Sequence, residues 1–204
     1  MKSHSRAGLL CLALVATSSA FGQLLNPSFE SGTGSSASNW IAFGNAFREN
    51  AGAHTGDFSM KMFGNFSGSF NVTGAFQDFA IGVGQSASAS VFAQTLSGDK
   101  MSGGNRALLK LIYRDAANND LLASESAFID ANTAPDTWFE LTASLGAAPA
   151  GTDHGSVFLL FLQEADNAGG STFFDDASVS VVPEPATLAI LGLAGVAALR
   201  RKRK

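Results

Sequence analysis

Between residues 23 and 181, no window keeps apolar residues at a helical period. Instead, about nine short runs alternate apolar with small or polar residues, each bounded by turn formers. Phe58, Met60 and Met62 alternate with Ser59 and Lys61. Ala87, Ala89, Val91 and Ala93 alternate with Ser88, Ser90 and Gln94, and Phe92 breaks the polar face. Trp138–Thr142, Val157–Leu162 and Val179–Val181 are further runs, with turns expected at Gly103-Gly104, Asn118-Asn119-Asp120 and Gly169-Gly170. Arg106–Arg114 is ambiguous by period alone, but its length and flanks favour a buried strand. Regularly spaced short strands without interleaved helices predict an all-β fold, an antiparallel jelly-roll β-sandwich.

Composition then decides what such a sandwich is kept for. Hydrophobic residues make up 46% of the chain, enough apolar area to offset chain entropy and exclude an acidic disordered polymer. The one cysteine, Cys11, excludes a disulfide framework and a cysteine zinc cage. The net charge of −4 averages unlike parts: residues 23–182 hold six Lys and Arg against 16 acids, a formal charge of −10. The other seven positives lie at the two ends, so a nucleic-acid partner is not expected.

Each end reads as an address. Lys2 and Arg6 precede the apolar run Ala7–Ala16 and the small residues Thr17–Ala20, the order of a secretory signal peptide over 1–22. Cleavage fits after Gly22, and nearly as well after Ala20, and implies engagement of the secretion machinery. At the other end Pro183-Glu184-Pro185 precedes the uncharged run Ala186–Leu199 and then Arg200, Arg201, Lys202, Arg203 and Lys204. As a helix that run is about 21 Å long, short of the ~30 Å hydrocarbon core, so any membrane insertion is marginal. The basic stop favours a cytoplasmic C-terminus.

This tail, over 182–204, resembles the PEP-CTERM sorting signal of Gram-negative bacteria. The resemblance implies recognition by exosortase, a membrane protease-transpeptidase, with cleavage near the PEP motif. The protein is then exported, transiently anchored in the inner membrane, and passed to the cell surface or extracellular matrix. The middle, 23–181, is similar to the jelly-roll carbohydrate-binding modules of the family 4, 9 and 22 type. The segments that carry the likeness are Leu25–Glu30, Asn39-Trp40, His54–Met62, Phe76-Gln77-Asp78, Asp136-Thr137-Trp138 and Phe173–Val179, in that order.

Glu30 and Asp175-Asp176 lie near opposite ends of the domain, where first and last strands often meet, and hard oxygens gathered there suit calcium. The resemblance implies a structural calcium at Ser28 (through its carbonyl), Glu30, Asp57 and Asp176. Neighbours on a strand face opposite ways, so whether Asp175 or Asp176 points inward stays open. A sugar site combines a ring platform with planar polar groups, which nominates Tyr113, Gln94 and Gln77, with Asn45 and Arg114 beside them. The phenylalanines are expected in the core, as are Trp40 and Trp138. His54 and His154 lack nucleophile or metal-ligand spacing, and adjacent strand acids diverge too far to act as a glycosidase pair. The expectation is a non-catalytic surface protein associating with extracellular polysaccharide. The alternatives are a structural matrix protein without a glycan site and, least favoured, a glycan hydrolase.

Overall fold

In β7 (Ser86–Gln94), Ala87, Ala89, Val91 and Ala93 point one way and are buried, while Ser86, Ser88 and Ser90 point the other. That two-residue period, with one face taken out of water, builds the whole structure. The computed structural model describes residues 24–182. The expected signal peptide (1–22), Pro183-Glu184-Pro185 and the basic stop Arg200–Lys204 lie outside the described residues.

Along the chain the remaining strands are β1 (Gly32–Thr33), β2 (Ser36–Ala37), β3 (Ile41–Phe43), β4 (Asn45–Glu49), β5 (Ser59–Phe63) and β6 (Asn71–Ala80). They continue as β8 (Arg106–Arg114), β9 (Asp120–Asp130), β10 (Phe139–Leu145), β11 (His154–Gln163) and β12 (Ser171–Val182). One five-stranded sheet has the order β10-β7-β12-β5-β4 and a second has β3-β6-β11-β8-β9, while β1 and β2 form a small separate ribbon. All neighbours are antiparallel. This is the expected all-β jelly-roll sandwich.

Between the sheets, Met60, Met62 and Phe174 from the first meet Leu109, Leu111, Leu159 and Phe161 from the second, all almost fully buried. Arg106–Arg114 is a strand, as its flanks predict. Its inward set is Ala107, Leu109, Leu111 and Tyr113, and Leu108 and Ile112 are buried on the opposite face. Trp40 packs tilted on Phe29 at 5.0 Å and donates its indole N–H to the Asn26 carbonyl at 2.9 Å, a structural role as expected.

β12 carries an irregularity between Asp175 and Ser178, with Asp176 at φ 48°. The bulge breaks the alternation that would send the two acids to opposite faces. Asp175 lies on the face turned away from the core, fully buried beneath residues 54–55, and Asp176 reaches the same turn from the side.

Candidate interaction face and the acid-pinned turn

The outer face of the second sheet differs from that of the first. On the first sheet, the half near Ser86, Ser88, Ser178 and Ser180 shows small hydroxyls. On the second, register places an apolar rung across all five strands: Phe43, Gly74, Leu160, Leu108 and Phe128. The next rung runs Ile41, Phe76, Phe158, Lys110 and Glu125. Four strand spacings separate Phe43 from Phe128, about 19 Å. Ile41 is 59% exposed, Phe128 50% and Phe43 36%, so this apolar face is open to solvent along its two edge strands, with Leu108 buried between them. Open apolar area of that kind marks an interaction surface.

Gly74 shapes the first rung. A Cβ there would lie 2.5 Å from Phe43 Cζ and 2.9 Å from a Leu160 methyl carbon. The missing side chain lets the Phe43 ring settle across the β6 backbone. Phe76 and Phe158 stack beside it, with centroids 4.8 Å apart and planes 17° apart.

Polar groups border this surface. Arg114 Nε donates to Asp120 Oδ1 at 2.8 Å, and its guanidinium lies 4.9 Å from the Phe158 centroid. Lys110 pairs with Glu125 at 3.2 Å and Arg106 with Glu164 at 2.7 Å. Ser156 donates to Asp78 Oδ1 at 2.5 Å. His154 pairs with Asp153 through Nδ1 at 3.0 Å, and its buried Nε2 has no partner among the described residues. Each cation of the face is thus matched by an acid of the chain.

The residues nominated from sequence for sugar contact lie elsewhere. Tyr113 is fully buried; its hydroxyl donates to the carbonyls of Leu145 and Gly146 at 3.3 and 3.1 Å, and burial pushes the phenol up. Gln77 is buried because it secures the start of the fold: its Nε2 donates to the carbonyls of Leu25 and Asn39, and its Oε1 accepts from the Leu25 amide at 2.6 Å. Gln94 is buried opposite Phe173. Asn45 donates to the Gly64 carbonyl at 2.9 Å. Of the five, only Arg114 borders the open face. The expectation that phenylalanines fill the core holds for Phe29, Phe161 and Phe174 and fails for Phe43 and Phe128, which are exposed. The missed signal was Val157–Leu162, apolar at both parities: one parity must leave the core.

The nominated acids meet at one turn. Glu30 Oε1 accepts the amides of Asp57 and Phe58, each at 3.0 Å. Asp176 accepts from Thr55 Oγ1 and pairs with His54 Nδ1, both at 2.6 Å. Asp175 accepts the amides of His54, Thr55 and Asp176 at 2.7, 3.1 and 2.7 Å. Burial pushes the Asp175 carboxyl up to about 6, against the opposing pull of these amides. Gly56, at φ +65°, lies against the Glu30 carboxylate, which fills the place a Cβ would take. His54 stacks on Phe92 at 4.0 Å and meets the edge of Trp138 at 5.3 Å. Asp57 contributes its amide to this turn, and Ser28 lies half-buried in the turn closed by the Phe29 amide on the Asn26 carbonyl. Among the described residues no three Asp, Glu, His or Cys side chains form a metal cluster, so carbonyls would have to supply most ligands of any cation here.

Sheet order and the facing of the two sheets define an antiparallel jelly-roll sandwich. The fold is similar to the CBM22-1 xylan-binding domain of Xyn10C from Paenibacillus barcinonensis, at 16% identity and a TM-score of 0.52, covering 80% of this chain and 96% of that one. It is similar also to a cyclase from Fischerella sp. TAU, at 14% identity and a TM-score of 0.58, covering 81% and 99%. A third likeness is to the arabinose-bound MgGH51 α-L-arabinofuranosidase, at 18% identity and a TM-score of 0.55; it covers 79% of this chain but spans only 26% of the enzyme. At such identities the likeness is one of fold, and this fold hosts unrelated activities. Residues 181–204 match the PEP-CTERM protein-sorting motif, and the chain carries that signal. Its presence implies export and a transient membrane anchor. The sequence has no match among curated proteins.

Proposed function

We propose that this protein is an exported, non-catalytic surface protein, cut from its anchor by exosortase near Pro183-Glu184-Pro185, that holds extracellular polysaccharide on the outer face of its second sheet. The observation that carries the reading is Phe43, laid across Gly74 and 36% exposed, in an apolar rung that ends on Phe128. Such rings pack against sugar C–H groups, and the bordering Arg114 and Asp78 supply donors and acceptors for hydroxyls. The acids of the face support a role without catalysis: Asp78, Asp120, Glu125 and Glu164 are each engaged by a neighbouring side chain. The acid-pinned turn is a support for the sandwich in this reading, with Glu30 and Asp176 holding a structural calcium together with nearby carbonyls.

Affinity electrophoresis through gels containing neutral polysaccharides tests the proposal. The wild type is retarded, while Phe43→Ala and Phe128→Ala each weaken retention at least about fivefold, as expected for losing a contact ring. Both side chains are exposed, so folding changes little. Retention unchanged in both variants would rule this face out.

A further inference from the structure

Phe76 and Phe158 are register partners on adjacent strands, and their ring centroids are 4.8 Å apart. That distance matches the ordinary spacing of strands, about 4.8 Å, so the rings stack along the sheet instead of lying on it. One face of Phe158 is therefore spent on Phe76, from the β6 side. The Arg114 guanidinium, coming from β8 on the opposite side, lies over the same ring at 4.9 Å. What this pair turns to solvent is ring rim. An aromatic rim is the positive end of the ring quadrupole; it attracts a carbonyl oxygen and offers no flat bed for a pyranose.

The surroundings are aliphatic. Ile41, 59% exposed, is the register partner of Phe76, and Leu160 lies half-exposed one rung away. The nearby cations are neutralised by Glu125, Glu164 and Asp120, and residues 23–182 carry a formal charge of −10. That balance repels a polymer bearing carboxylates or sulfates. Positive rims beside methyl-binding surface complement a methyl attached to a carbonyl.

We infer that the face takes a neutral polysaccharide carrying acetyl groups, with acetyl methyls packed on Ile41 and Leu160 and carbonyl oxygens against the rims of Phe76 and Phe158. This rests on the glycan-binding reading above and names the substituent that the face selects. Each buried methyl is worth roughly fourfold in affinity, and a face about 19 Å across spans several sugar residues, so the total preference is on the order of tenfold or more.

The experiment uses the full chain in mild detergent. Affinity electrophoresis compares O-acetylated glucomannan with the same polymer after alkaline deacetylation. Calorimetry compares chitohexaose with cellohexaose, a neutral pair differing in N-acetyl groups. The acetylated ligand of at least one pair is expected to bind about tenfold tighter, and the pair that responds tells ester from amide. Ile41→Ala should shrink the ratio, weakening the acetylated ligand more than its deacetylated partner. Equal binding within both pairs, still lost in Phe43→Ala, overturns the acetyl preference and leaves the glycan site standing. No binding to any of the four ligands overturns both.

Discussion

Asp175 is the only charged residue fully withdrawn from solvent among the described residues, and it holds the His54, Thr55 and Asp176 amides. Its carboxyl is raised to about 6 because desolvation outweighs those three donors. A raised folded-state value means the unfolded chain gives up the proton first as pH rises. The contribution of Asp175 is thus fully present below its unfolded value of 3.8 and drains away as pH climbs through about 6. The loss comes to about 3 kcal/mol, an order-of-magnitude figure from the separation of the two values. Urea unfolding in EDTA at pH 4, 5, 6 and 7 should show stability falling across that window and levelling above it. Asp175→Asn should flatten this part of the profile; an identical pH dependence in the variant would show that Asp175 does not titrate there. At this scale the sequence was partly legible. Tyr113 shares its parity on β8 with Leu109 and Leu111, so alternation alone would have placed it in the core. Nothing local marks Gly74 as the residue over which Phe43 lies, because the contact joins chain segments 31 positions apart.

At the scale of elements, the 54–58 turn is held from both ends of the domain, by Glu30 after the first turn and by Asp176 in the bulge of β12. That meeting was readable from sequence order. The bulge that lets Asp175 and Asp176 share a target was not, since strict alternation separates neighbours. A calcium held there by Glu30, Asp176 and carbonyls would stabilise the folded state by mass action. Melting followed in calcium against EDTA should show Tm rising by about 5–10 °C at a hundredfold excess over Kd. Coincident melting curves would remove calcium from the proposal. Strands such as β5 and β7 follow from alternation because one face is dry. β11 carries a different clue: it is apolar at both parities, so one parity has to leave the core, and alternation does not say which. β9 was hidden for another reason: it lies at a sheet edge, pairs with β8 through two irregularities, and exposes residues of both parities.

For the whole molecule, the charge of −4 averages the domain with its two ends. Removal of both end segments, as proposed, would take away seven positives and leave a cysteine-free domain near −10. Intact mass spectrometry of protein released from the cell surface should find no residues beyond the PEP region. Detection of Arg200–Lys204 on that material would overturn processing at the motif. β12 is an interior strand, paired with β5 and β7, and its ladder runs to Val182 opposite Ser86, one residue before Pro183. A pull exerted through the C-terminus therefore acts along the length of an embedded strand. It loads the β7 ladder in shear, many hydrogen bonds at once, instead of peeling them open one after another. A domain held at that point would meet tension along the ladder, where it resists best.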